Sequence, residues 1–297
     1  MERLDDKGRC GSATSPYHCG AMTSTPLVSV CIPTYRGEAH IRAAIISVLA
    51  QTLDDFELIV VDDNSPDNTA ALVSSFVDPR IRFLRNPANL GPEGNWNRCL
   101  HEAHGKYFKL LPHDDLLHPD CLRRQVEILE ADSESSLALV FCARQVINAA
   151  GRQQTTRGFP HRRSGRIAAN EVIRACLRRG TNLLGEPGGV LMRRELASRV
   201  GPFNAAFPYV IDLEYWFRLL LHGDAWYIDE TLASFRVSRS QWSVVIGRGQ
   251  SKDFSRFIDH VASAPEYKVA PTDTVLGHGM ARFNQLLRLL YYRFVLK

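Results

Sequence analysis

Short apolar runs and amphipathic stripes alternate along the first half of the chain. Leu27-Val28-Ser29-Val30-Cys31-Ile32, ending at Pro33, reads as a buried strand. From Ile41 the apolar residues fall at Ile41, Ala44, Ile45, Val48 and Leu49, the stripe of an amphipathic helix. Phe56–Val61 is a second buried strand, followed by the loop and cap composition of Asp62–Asn68. Ala70–Phe76 reads as helix and Ile81–Leu84 as a shorter strand. A helix through Trp96, Leu100 and Ala103 ends at Gly105; Tyr107–Leu111 is a fourth strand, halted at Pro112. Pro119 opens the next helix, since proline fits the first helical turn. This alternation predicts an α/β fold, Rossmann-like, with a mostly parallel central sheet and helices on both faces. Ligands of such sheets bind beyond the carboxyl ends of the strands. That singles out the loops Thr34–Gly37, Asp62–Asn68 and Pro112–Asp115.

The pattern changes after Ala149. Residues 151–180 hold eight arginines against a single acid, Glu171. A Gly-rich loop from Leu183 enters a strand at Gly189–Met192. Asp212–Leu221 is helical with Leu213, Trp216, Phe217 and Leu220 on one face, and Asp229–Val237 reads as an edge strand. From Arg282 a last amphipathic helix sets Phe283, Leu286, Leu287, Leu290 and Phe294 on one side, with Arg282, Arg288 and Arg293 around it. The organisation expected is a disordered lead over 1–25, one domain over 26–245 and a helical extension over 246–297. Met22 stands five residues before the first strand, so residues 1–21 are expected to be dispensable.

Composition narrows the classes. The formal net charge of +4 is too mild to argue for nucleic acid, and no apolar run suggests a membrane span. The seven cysteines are odd in number and form no Cys-x-x-Cys pair, which disfavours a disulfide framework and a structural zinc site. Thiols inside apolar runs, as in Val140-Phe141-Cys142, fit a reducing compartment, and Met1–Thr25 lacks the apolar core of a signal peptide.

The chemistry is carried by acids at strand ends. Asp114 and Asp115 repel one another unless a cation or solvent relieves them, and a hard divalent ion bridging carboxylate and phosphate oxygens would do so. The plainer alternative is a polar loop capping the Pro119 helix. Asp62 and Asp63 end another strand of the same sheet, suited either to a base or ribose hydroxyl or to an Asx turn. No Gly-x-Gly-x-x-Gly, Walker lysine motif or Gly-x-Ser-x-Gly elbow is present. Without a glycine phosphate loop, paired carboxylates need a metal to hold a diphosphate.

The sequence resembles the family 2 glycosyltransferases of the GT-A fold. The matching text is Val28–Tyr35, Leu58–Ser65 (with Asp62-Asp63-Asn64-Ser65), Asn89-Leu90-Gly91, Gly94–Arg98 and Gly105-Lys106-Tyr107 through Asp114-Asp115. Order and spacing agree over residues 27–120, and more loosely to about 240. The resemblance implies that Pro33 and Tyr35 border the nucleotide base, with Tyr35 stacking on it, and that Asp62 or Asp63 binds base or ribose. It implies that Asp114 and Asp115 form the metal motif for Mn2+ or Mg2+, with Asp115 as the direct ligand. Pro112 replaces the first acid of the motif many relatives carry. His113 is read as a solvated loop residue, with metal ligation as the alternative.

Ile211-Asp212-Leu213-Glu214-Tyr215-Trp216 matches the segment that holds the family's catalytic base, which makes Asp212 the candidate; its usual acidic companion is Ile211 here. Glu214 stands about 200° further round the helix and is expected in solvent. Gly188-Gly189 resembles the acceptor-side segment, with Glu186 or Asn182 lining that pocket. Arg236, Arg239 and Trp242 match a segment that closes over the diphosphate, although Ser238 replaces its usual histidine. The implied reaction is inverting sugar transfer from a UDP or dTDP donor to a hydroxyl of a glycan or lipid-linked acceptor, in cell-surface polysaccharide assembly. The implied location is cytoplasmic or peripheral on the inner face of the plasma membrane. Two rival readings remain: a sugar-1-phosphate nucleotidyltransferase and a non-catalytic nucleotide-sugar binding module. The apolar face of the last helix suits anionic lipid, the catalytic domain or a second subunit.

Overall fold

The computed structural model of the chain describes residues 25–237 and 249–294, with side chains to 290 in the last helix. The apolar runs form the strands they predict: β1 (Val28–Thr34), β2 (Phe56–Asp62), β3 (Ile81–Arg85) and β4 (Tyr107–Leu110). They lie in the order β3-β2-β1-β4, every pair parallel. β1 continues through Pro33 to Thr34, because its pairing with β4 stops at Cys31 and leaves proline's missing N–H without a required partner on that side. Helices α1 (Ile41–Leu49), α2 (Thr69–Ser74), α3 (Gly91–Glu102) and α4 (Cys121–Ala131) connect them. A two-residue strand, β5 (Leu116–Leu117), precedes α4.

The second half of the sheet is mixed. β6 (Leu137–Asn148) is a 12-residue strand in a stretch where the apolar pattern above predicts none. It is followed by β7 (Gln153–Arg157), β8 (Gly165–Ile167), α5 (Ala169–Arg179), β9 (Val190–Arg193), α6 (Arg194–Val200), α7 (Ile211–Leu220) and β10 (Asp224–Val237). β9 joins the halves, antiparallel to both β4 and β6. β10 is not the edge strand expected at Asp229–Val237. It begins at Asp224, runs parallel to β6, and takes β8 and β5 as antiparallel partners on its other side.

Side-chain alternation splits the core into two layers. Val30, Ile32, Leu58 and Val60 meet α1 and α4 on one face of the sheet. Cys31, Ile59, Val61 and Phe108 meet α3, α5 and α7 on the other. That second layer also takes Phe254, Phe257, Ile258 and Val261 of α8 (Gln250–Ser263) and Ala281 of α9 (Pro271–Phe294). The two C-terminal helices thus share the core of the sheet, whereas the sequence set them apart as an extension. α9 also starts eleven residues before Arg282. α7 is buried nearly all round rather than on one face. The five described cysteines are free and buried. The lead before residue 25, with Cys10 and Cys19, lies outside the described residues, as do Ser238, Arg239 and Trp242.

Candidate active site

The carboxyl ends of β1, β2 and β4 bring the first three loops together. The β1 loop turns at Arg36 and the β2 loop at Asn64, both in the left-handed region (φ 53° and 59°). Backbone donors of the first reach side chains of the second: Arg36 N–H to Ser65 Oγ (2.9 Å) and Gly37 N–H to Thr69 Oγ1 (2.9 Å). Tyr35 projects from this junction, 39% exposed, with the Arg36 guanidinium over its ring. Pro33 is buried beneath it. The Thr34 hydroxyl is buried at the same strand tip with no hydrogen-bond partner among the described residues.

Asp62 and Asp63 are both buried, and they differ in what they hold. Asp63 accepts from Asn86 Nδ2 (2.6 Å), Leu90 N–H (2.8 Å) and Gly91 N–H (2.9 Å). It thereby satisfies the free N–H groups that open α3, which a helix cannot pair internally. Asp62 accepts from Ser65 N–H (3.1 Å) and faces Arg85 Nε at 3.3 Å. Asp63 is the more fully committed to its own chain.

Asp114 and Asp115 follow β4. Asp114 is half-buried, and its carboxylate takes no hydrogen bond among the described residues. Asp115 is 2% exposed and accepts the Arg236 N–H at 2.9 Å. Burial, with the Asp114 charge next to it, raises the Asp115 carboxyl well above the usual range. The open carboxylate of the pair is Asp114, although the sequence singled out Asp115. Arg236 donates to the carbonyls of Asp114 (2.8 Å), Asn148 and Ala149 (3.0 Å each). Its guanidinium is a staple under the acidic loop rather than a free cation above it. His113 is not simply solvated: its ring edge lies 3.2 Å from where a Cβ on Gly37 would stand. His40 joins this group, its pKa lowered by burial and by the Arg236 charge, with Asp114 opposing.

Glu186 and Gly188, the residues expected to face the acceptor, meet beside Asp115 of the acidic loop. Asp115, Arg144, Glu186, Gly188, Gly189 and Ser234 line one small cleft. Glu186 pairs with the buried Arg144 at 2.6 Å. Asn182 bridges to Asp212: its Nδ2 donates to Asp212 Oδ2 and to the Gly185 carbonyl, both at 2.9 Å. Asp212 stands in the first turn of α7 and takes its neighbour's N–H (Leu213) at 2.7 Å. Burial pushes its carboxyl up to about 7; Glu186 adds to this, and the Leu213 and Asn182 hydrogen bonds oppose it. Glu186 also raises Asp115, so its charge is felt by both Asp115 and Asp212. Glu214 points elsewhere, as the helical angle requires, but it is buried against Arg218 (2.8 Å) instead of solvated.

Two cations of this region were not identified in the sequence. Lys109 is fully buried and donates to the carbonyls of Gly188 (2.8 Å) and Val190 (3.0 Å), fixing the Pro187–Gly189 turn. Arg144 orients Glu186. Both stand inside apolar strand runs, and a cation in such a run is the signal that it has a buried partner.

For a divalent ion, the donor set is Asp114 and Asp115, and no group of three potential ligands exists among the described residues. Two carboxylates suit Mg2+ or Mn2+, which complete their shells with substrate phosphates and water. A carboxylate that takes no hydrogen bond among the described residues, beside a buried one raised by burial and by its neighbour's charge, fits such an ion.

Residues 29–201 match the family described as Glycosyl transferase family 2. The chain belongs to that family. It is 32% identical to an uncharacterised Mycobacterium tuberculosis protein, over 70% of this chain and 66% of that one. It therefore spans just under two thirds of that relative. It is 35% identical to the Escherichia coli UDP-Glc:alpha-D-GlcNAc-diphosphoundecaprenol beta-1,3-glucosyltransferase WfgD, over 41% of this chain and 47% of that one. Among solved structures it resembles Staphylococcus aureus TarS 1-349 in complex with UDP-GlcNAc (TM-score 0.66, 17% identity, 91% of this chain and 76% of that one). That likeness supports the GT-A fold expected from the sequence.

Proposed function

We propose that this glycosyltransferase family 2 chain transfers a sugar from a UDP or dTDP donor to a hydroxyl, with inversion. The observation that carries the reading is Asp212. Its carboxyl, pushed up to about 7 chiefly by burial, is held by Asn182 and lies near enough to Glu186 to be raised further by that charge. A general base is most effective when its pKa lies near the working pH. Asp212 takes the proton of the acceptor hydroxyl as that oxygen bonds to the anomeric carbon and the bond to the nucleotide diphosphate breaks. The diphosphate leaves with the bonding electron pair. No covalent intermediate forms, so no Ser or Cys nucleophile is required.

Tyr35 stacks on the base beside Pro33, and Asp62 meets base or ribose; Asp63 ties the end of β2 to the segment that opens α3. Asp114 and Asp115 would hold Mn2+ or Mg2+, which when bound would neutralise charge on the diphosphate. Glu186 and Gly188 face the acceptor. The WfgD name supports a lipid-linked glycan acceptor and a role in cell-surface polysaccharide assembly. Buried free thiols suit the cytoplasmic side.

The test is nucleotide release from UDP- and dTDP-sugars with manganese, with and without lipid-linked acceptors. Release that depends on acceptor supports the reading. Binding without release would indicate a non-catalytic module, and pyrophosphate-dependent turnover would indicate a nucleotidyltransferase.

A further inference from the structure

Among the described residues, α9 is held by one face only. Gly277 lies against the Leu177 carbonyl and Ala281 is buried against Gly180. Asn284 donates to the carbonyls of Arg179 and Gly180, and Arg288 lies over the Tyr209 ring. The opposite face carries Val275, Leu276, Phe283, Leu286, Leu287 and Leu290, each between 44% and 72% exposed. At about 100° per residue these six fall within an arc of about 120°. Gly279 lies inside that arc, and a Cβ there would meet open space.

Charge selects the occupant. Residues 274–297 contain Arg282, Arg293 and Lys297, besides Arg288 on the held face, and no acid, so they carry a formal charge of +4. This equals the net charge of the whole chain. The helix's single acid, Asp273, is buried and already shared by Arg174 and Arg178. Two copies meeting through this face would bring together two basic helices with no free carboxylate to pair them. An anionic bilayer supplies both apolar depth and negative charge. No described helix is apolar enough to cross it, so the helix would lie in the interface.

We propose that the exposed face of α9 docks the protein on anionic phospholipid. The proposal is independent of the catalytic reading. It is tested by flotation of the full chain with phosphatidylcholine vesicles, with and without phosphatidylglycerol. About tenfold more protein should float with the anionic vesicles, and added salt should reduce this. Leu286→Glu with Leu290→Glu should abolish flotation, and Arg282→Glu should weaken it, with melting temperature and nucleotide binding unchanged. Should the double variant melt early, Val275→Ser with Leu276→Ser gives the same readout at the other end of the arc. Flotation that fails, ignores phosphatidylglycerol or survives both double variants overturns the proposal. So does a stable dimer in solution that Leu286→Glu dissociates.

Discussion

Asp212 concentrates the site's chemistry into one titration. Its carboxyl is raised from 3.8 to about 7, chiefly by burial. It works as a base only when ionised, so kcat/KM should rise with pH through about 7 and then level. Asp212→Asn should lower kcat about 100-fold or more with donor affinity nearly unchanged, measured by initial rates and nucleotide titration. The same shift bears on stability. A carboxyl that holds its proton more tightly in the folded state loses stability as pH rises from 3.8 to about 7. The melting temperature of Asp212→Asn, relative to wild type, should therefore climb between pH 4 and pH 8. A pH-independent difference would mean that Asp212 is ionised throughout. Asn182→Ala removes a hydrogen bond that favours the charged form, so the rising limb should move to higher pH. At the acidic loop, Asp114→Ala and Asp115→Ala should each abolish manganese-dependent nucleotide binding. Retained binding in Asp114→Ala alone would return the direct contact to Asp115.

Among the elements, the Pro187–Gly189 turn is held by two buried side chains, Lys109 and Gln125, whose Nε2 donates to the Gly189 carbonyl (2.8 Å). Lys109 reaches it from β4 and pairs two carbonyls that are otherwise buried. Lys109→Met leaves both unpaired, at about 1–3 kcal/mol each. The variant should unfold at clearly lower urea and raise the KM for acceptor more than that for donor. The four parallel strands were legible because buried parallel strands are continuous apolar runs with short polar breaks. β6 has the same character from Leu137 to Cys142, but Arg144 and Gln145 interrupt it, and nothing local shows that Arg144 will meet Glu186. β10 reads as an edge because Asp229, Glu230 and Thr231 are polar; these exposed residues sit where its register with β6 shifts. The donor-side acids were legible as motifs at strand ends. Their division of labour was not: that Asp63 caps α3 depends on a contact 28 residues away.

On the scale of the whole molecule, the C-terminal helices have two faces with opposite fates. α8 closes the core: the Phe257 ring meets Phe217 of α7 at a tilt (centroids 5.2 Å apart) and Phe207 edge-on (5.6 Å), and Phe254 is wholly buried. α9 covers α5 and turns its remaining apolar face outward. The sequence could not separate these fates, since both helices are amphipathic and only the fold decides which apolar stripe meets a partner. The consequence for stability is sharp. Phe257→Ala opens a cavity in the layer shared with the sheet and should cost about 3–5 kcal/mol, read from the urea midpoint. Leu287→Ala, on the outward face, should cost less than about 0.5 kcal/mol. A chain ended at residue 248 loses α8 and α9 together and uncovers Phe207 and Phe217. It should lose its cooperative melt and bind a hydrophobic dye, even though every proposed catalytic residue is still present. A truncated chain that melts like the full one would show that the sheet domain is complete without them, and that α8 is an appendage in spite of its buried phenylalanines.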